Sequence, residues 1–246
     1  MTIHIIITML LLLAFLIGSI WYAKKKYQIN LAVLGLGAVA FFVSSQILEK
    51  LVHILVLHPQ KDGSIALLQD HPLVYIIYGL AMAAFFEETA RLIFFKWLEK
   101  KRNLEKADGL GHGGLELVFL GLTSLINLYI VLSAVQTQNP QVMQLLSENM
   151  LKTIQSLSVW QIYLLGFERI LALGFQLLLT VWVYQAVRQK KWIYLLAAYG
   201  LHAFFDLAPS LAQVGWLTNP VLVEVVLALE LVLLAYGTKA IFCKKS

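Results

Sequence analysis

Two adjacent carboxylates and a guanidinium, Glu87, Glu88 and Arg91, interrupt the apolar stretch AMAAFFEETARLIFFKW. Farther along, HAFFD sets His202 and Asp206 four residues apart. On a helix an i,i+4 pair shares one face. Glu87 and Arg91 can therefore pair, which limits the cost of burying either charge. Glu88 points about 100° away from Glu87 and is left for another partner. His202 and Asp206 can bind one metal together, or one can orient the other. A nearby Glu can then serve as general base for a bound water. Each group alone also suits a structural role, the His as an interhelical hydrogen-bonder and the Glu–Arg pair as a clasp. Their conjunction favours chemistry.

The elements that must hold these groups are membrane helices. Of the 246 residues, 60% are hydrophobic and only 13% are Asp, Glu, Lys or Arg, against about half and a quarter in soluble domains. The long uncharged runs indicate an all-α polytopic membrane protein, one seven-span domain over residues 1–246. The spans are roughly residues 2–22, 30–57, 72–98, 112–135, 161–187, 192–213 and 219–243. The first has no basic residues before it and reads as a retained helix rather than a cleaved leader. Lys24–Lys26, then Lys96, Lys100, Lys101, Arg102 and Lys106, then Arg188, Lys190 and Lys191, and finally Lys244 and Lys245 follow or end alternate spans. The opposite loops offer mainly Lys61 and Lys152. This bias places the N-terminus outside and the C-terminus in the cytoplasm of a plasma-membrane protein. The net charge of +5 is thereby explained by orientation and does not indicate nucleic-acid binding. A single cysteine, Cys243, excludes an internal disulfide framework and a Cys-based zinc site.

Depth connects the polar groups. At a rise of about 1.5 Å per residue, Glu88 and His202 each lie roughly 15 Å from the inner ends of their spans, and Gln176 roughly 18 Å. Three helices thus bring polar side chains to one level. Secondary candidates are His112 and Glu116 in GHGGLE, expected at the inner mouth of span four, and Glu168 and Arg169 in the outer part of span five. The glycines beside His112 permit close helix packing or a tight turn. Glu224 and Glu230 are buried in span seven, and His4, His53, His58 and His71 read as interfacial. Before span five, Val142, Leu146, Met150, Ile154 and Leu157 recur at helical spacing. They predict an amphipathic helix over 140–160 on the outer surface.

The ordered set EETAR, GHGGLE, FERILALGFQ and HAFFD resembles the YhfC family of bacterial intramembrane metalloproteases. That family is similar to CAAX-processing and bacteriocin-processing membrane proteases, and to the scaffold subunit of gamma-secretase. The resemblance covers spans three to six in motifs and all seven in topology. It implies catalytic Glu87 and Glu88 with Arg91 as their partner, and metal-site residues His202 and Asp206. The middle motif of the family usually offers a His on span five, and Gln176 stands there. Gln is a poor ligand for zinc, the metal implied, because its amide oxygen is neutral and hard. Cleavage of a membrane-associated protein or peptide is the function implied, with the scissile segment expected from the cytoplasmic half. Two other classes stay open: a non-catalytic scaffold or substrate-binding protein, favoured by Gln176, and a proton-coupled transporter using Glu87, Glu88, His202 and Glu230.

Overall fold

The computed structural model of the protein describes residues 1–60, 64–98, 103–144, 146, 151 and 154–242. Among the described residues seven helices are long and apolar enough to cross a membrane. They are α1 (Thr2–Tyr27), α2 (Leu31–Leu57), α3 (Pro72–Leu98), α4 (Leu104–Gln136), α5 (Val159–Gln189), α6 (Trp192–Gln213) and α7 (Pro220–Phe242). Among the described residues there is no strand. In lipid a helix satisfies its own backbone polar groups, which is why the apolar runs fold this way. Local signals set the boundaries. Asn30 caps α2 by accepting from the Ala32 N–H. Ser158 and Gln161 form a reciprocal capping box at the start of α5. Gln28, Asn103 and Lys190 each adopt a left-handed conformation beside a helix end.

The long central α5 packs against α1, α3, α4, α6 and α7. Its register against α4 and that of α2 against α4 depend on close backbone approach. A Cβ at Gly111 would lie 2.0 Å from the Leu34 carbonyl oxygen of α2, and one at Gly113 would lie 2.8 Å from Gln176 Cβ of α5. The glycine run thus draws α4 against two neighbours and carries His112 between them. Without a hydrophobic drive between helices in lipid, small residues are how membrane helices gain packing.

Three local features depart from regular helix. α2 is π-helical over Phe42–Glu49 and α4 over Leu117–Leu122, and such segments frequently occur at functional sites. α6 is interrupted at Asp206, between Trp192–Phe205 and Leu207–Gln213. Pro209 accounts for the break, since its ring would clash with the carbonyl of Phe205 four residues earlier.

Two sequence expectations shift. The fourth span begins at Leu104, not at 112, so His112 is fully buried within the helix rather than at its mouth. Lys106, Asp108 and the glycines disguise this first stretch as a loop. They are tolerated because the stretch faces protein, with Leu104, Ala107 and Leu110 buried. Of the 140–160 stretch, residues 145, 147–150 and 152–153 lie outside the described residues. Pro140–Met143 forms one helical turn, while Ile154 and Leu157 pack against the cluster of Ile5, Leu12, Leu117 and Ile162. Lys61, Lys100, Lys101, Arg102, Lys152, Cys243, Lys244 and Lys245 also lie outside the described residues.

Candidate functional site

Four helices carry the polar centre: Glu87, Glu88 and Arg91 from α3, His112 and Glu116 from α4, Gln176 from α5, and His202 from α6. All seven side chains are buried, and Glu88, Arg91 and His112 are wholly so. Arg91 is the hub. It donates to Glu88 Oε1 and to Gln176 Oε1, and its other partner, Glu87 Oε2, is 3.7 Å away. The i,i+4 pair expected from the sequence therefore exists, but the i,i+3 partner Glu88 holds the guanidinium more closely. Both spacings lie on one helix face, and the long Arg side chain reaches both.

Glu88 is not left free on the far side of the helix. The oxygen that accepts from Arg91 also lies 2.6 Å from His202 Nδ1. With Glu88 accepting there, Nδ1 carries the hydrogen and a neutral ring presents its lone pair at Nε2. His202 Nε2 faces Asp206 Oδ2 at 3.3 Å and Glu87 Oε2 at 4.0 Å. The ring is braced by Phe175, which stacks on Phe205.

Glu87 has the opposite surroundings. Its Oε2 lies 3.0 Å from His112 Nε2 and accepts from Gln176 Nε2 at 3.0 Å, while its Oε1 lies 3.3 Å from Ser45 Oγ. Glu87, Glu116, Arg169, Gln176, His202 and Asp206 all border one polar cavity of about 270 Å³. The structure thus brings the sequence candidates Glu88, Gln176 and His202 together. It adds His112 and Glu116 at the centre, and it leaves Asp206 more open, with a side chain 36% exposed.

Gln176 occupies a different chemical position from the ligand site implied by the resemblance. Its oxygen accepts from Arg91, and its amino group donates to Glu87 and Glu116. Arg offers only donors, so the oxygen must be the atom facing it. Both ends of the amide are spent on fixing neighbouring charges. Glu168 and Arg169 pair with each other beside this centre, with Arg169 Nη1 at 4.0 Å from Glu116 Oε1.

The cavity also identifies residues that sequence reasoning did not assign to the site: Ser45 and Glu49 of α2, and His53, which was taken as interfacial. The signal for them was present. Ser45, Glu49 and His53 recur every four residues along the second span. Asp108 was also overlooked. It is fully buried over Gly37, and neither carboxyl oxygen has a hydrogen-bond partner among the described residues.

The donor set can be tested against a metal. Among the described residues, no group of three His, Cys, Asp or Glu side chains already surrounds a common point as ligands. The chemistry of the donors nevertheless fits one. Two imidazole nitrogens, His112 Nε2 and His202 Nε2, converge on the same carboxylate oxygen, and Asp206 faces the second of them. Imidazole and carboxylate are ligands that zinc accepts. Glu88 holding Nδ1 of His202 is the outer support that orients metal-bound histidines.

Comparison with known proteins places the chain among bacterial membrane proteins. The "Uncharacterized membrane protein YhfC" of Bacillus subtilis (strain 168) is 36% identical, over 89% of this chain and 88% of that protein. No solved structure matches. With its seven spans the chain is a multi-pass membrane protein, and the bacterial relative accords with the plasma membrane. Residues 8–227 match the family described as "YhfC intramembrane metalloprotease", and the chain belongs to that family.

Proposed function

We infer that the protein is an intramembrane peptidase in which Glu87 activates the hydrolytic water and Glu88 positions His202. The observation that carries this reading is the division of labour between the two acids. Glu88 is enclosed and tied to Arg91 and His202 Nδ1, whereas Glu87 faces the cavity and both imidazole Nε2 atoms. A general base must reach the water it deprotonates, and an orienting acid must not compete for it. Arg91 and Gln176 fix the direction of Glu87 and balance part of its charge.

A metal of the kind the family name implies would be held by His112 and His202, with Asp206, which faces His202 Nε2, as a further donor. When bound, it supplies Lewis-acid polarisation of the scissile carbonyl and lowers the pKa of bound water. The chain's own residues do the rest. Glu87 takes a proton from water and delivers it to the departing amine nitrogen. Buried side chains around the polar centre keep bulk water from competing.

The test compares membranes of a strain lacking the protein, complemented with wild type or with Glu87→Gln. Enrichment of new peptide N-termini should reveal membrane-protein fragments present only with wild type. Metal analysis of the purified protein should find close to one equivalent, lost in both His112→Ala and His202→Ala. Wild-type protein that stays folded but yields neither metal nor fragments would favour the scaffold reading. That second reading draws on the Gln176 amide, whose two ends are both committed to neighbouring charges.

A further inference from the structure

A row of side chains on α2 leads from Glu87 toward the Leu57 end of the helix. Ser45 Oγ donates to Glu49 Oε2 at 2.9 Å and stands 3.3 Å from Glu87 Oε1. Glu49 Oε1 lies 3.2 Å from His53 Nε2, and His53 Nδ1 lies 3.0 Å from the Tyr78 hydroxyl of α3. Glu49 is buried, while the His53 side chain is 30% exposed. The polar cavity runs along the same row, bordered by Ser45, Gln46, Glu49, Lys50 and His53.

Two features make this more than a structural ladder. First, the serine stands between two carboxylates and has one hydrogen to give. The hydroxyl can bridge both acids at once only when one of them holds a proton, accepting from that acid and donating to the other. Reversing the hydroxyl moves the proton from one acid to the other. Second, the cavity lies on one side of the centre. Ala83 precedes Glu87, Arg169 precedes Gln176, Leu120 follows Glu116 and Asp206 follows His202. Chain direction places all four, with Glu49 and His53, toward the ends joined by the 58–71, 137–158 and 214–219 connections. The opposite half is apolar, with Phe94, Phe95, Trp182 and Val183 buried there. The sequence leads one to expect a scissile segment from the cytoplasmic half, whereas the polar opening lies on the other half.

We propose that Ser45, Glu49 and His53 form the water and proton route between Glu87 and the aqueous face at the Leu57 end of α2. The proton part rests on the peptidase reading. Hydrolysis consumes one water. Glu87 passes its first proton to the amine, and the second remains on the new carboxyl group. That proton passes to the freed Glu87 carboxylate, crosses Ser45 to Glu49 and His53, and leaves to solvent, so the acid product departs as carboxylate and Glu87 is reset. Lys50, Arg169, Glu116 and Asp206 are the other charged groups bordering the cavity; Tyr78 faces His53 from α3.

The route is tested in two arms. In a Cys243→Ser background, Gln46→Cys and Leu51→Cys are exposed to a membrane-impermeant thiosulfonate. Leu51 is closer to the helix end but sits on the open apolar face, 53% exposed. A thiol reacts as thiolate and so needs water, hence Gln46→Cys should react about tenfold faster, and only from the side that labels His58→Cys. Equal or slower reaction, or reaction from the opposite side, overturns the route. The second arm uses the cleavage identified above. Folded His53→Ala should turn over about a hundredfold more slowly, at the low end of the range for a proton-transfer group, and added imidazole should restore it. Glu87→Gln should be inactive with or without imidazole. Loss without rescue, or no loss, overturns the proton step. If wild type cleaves nothing, the peptidase reading fails and takes the proton step with it, and the labelling arm alone decides the water route.

Discussion

Two arginines in this membrane protein sit among acids, and they are held very differently. Arg91 is completely enclosed and joins Glu87, Glu88 and Gln176 from two helices. Arg169 keeps 21% of its side chain exposed and leans on its sequence neighbour Glu168, with Glu116 at 4.0 Å. The first arrangement fixes a carboxylate against a histidine on another helix, and the second borders the cavity. A buried ion pair is weak evidence for stability, but removing one of its members leaves an uncompensated charge and is strongly destabilising. The difference indicates that Arg91 organises the centre, whereas Arg169 adjusts the field at its edge.

The largest effect that could break this comparison is on chemistry. Glu87→Gln should reduce cleavage by at least about a hundredfold, the usual contribution of a general base, while the folded yield stays near wild type. Glu168→Gln should leave cleavage close to wild type. If Glu168→Gln were as damaging as Glu87→Gln, the edge cluster would belong to the reacting centre.

Stability gives the next contrast. Arg91→Ala removes one member of a buried set and should cost about 3–5 kcal/mol, read as loss of folded protein in detergent titrations. Adding Glu88→Gln should recover part of that loss, because Glu88 is the closer partner. Arg169→Ala should cost clearly less, since its side chain is partly open. Equal losses would remove the distinction between hub and edge.

These contrasts also show where sequence is informative. Hydropathy alone identified the seven spans, because lipid demands helices about 20 residues long. Depth along those helices was enough to bring Glu88, Gln176 and His202 together. Azimuth was not. Spacing assigned Arg91 to Glu87, and only packing shows that Glu88 is its nearer partner. The start of α4 was hidden because its polar residues face protein rather than lipid, so composition understated the helix. Ser45 and Glu49 recur with His53 at four-residue spacing, but spacing does not say which neighbour that face meets, and the π-helical segment shifts its direction.

A third test probes the approach that brings His112 to the centre. A methyl at Gly111 would press on the Leu34 carbonyl at 2.0 Å, whereas one at Gly114 would meet only the end of the Leu16 side chain at 3.0 Å. Gly111→Ala should therefore cost about 1–3 kcal/mol, the usual price of overpacking, with weaker metal retention because α4 is pushed from α2. Gly114→Ala should be tolerated with little change in either measure. The reverse order would mean that α2 and α4 do not pack at this register.

The smallest expected effect is the one that best separates peptidase from transporter. A proton-coupled transporter built on these acids needs Glu230 to exchange protons with Glu87, Glu88 and His202. Glu230 borders a different cavity, with Phe175, Trp182, Phe204 and Phe205, while Glu87 and His202 border the polar one. One of its carboxyl oxygens is buried with no hydrogen-bond partner among the described residues. Replacing that carboxyl by an amide removes no bond found there. Glu230→Gln should therefore change stability by no more than about 0.5 kcal/mol and leave cleavage unchanged. In proteoliposomes carrying a pH gradient, a peptidase should show the same slow proton leak with Glu230 or Gln at this position. A substrate-dependent proton flux in wild type that disappears in Glu230→Gln would sink the peptidase reading, because no step of hydrolysis at Glu87 calls on a group in the neighbouring apolar cavity.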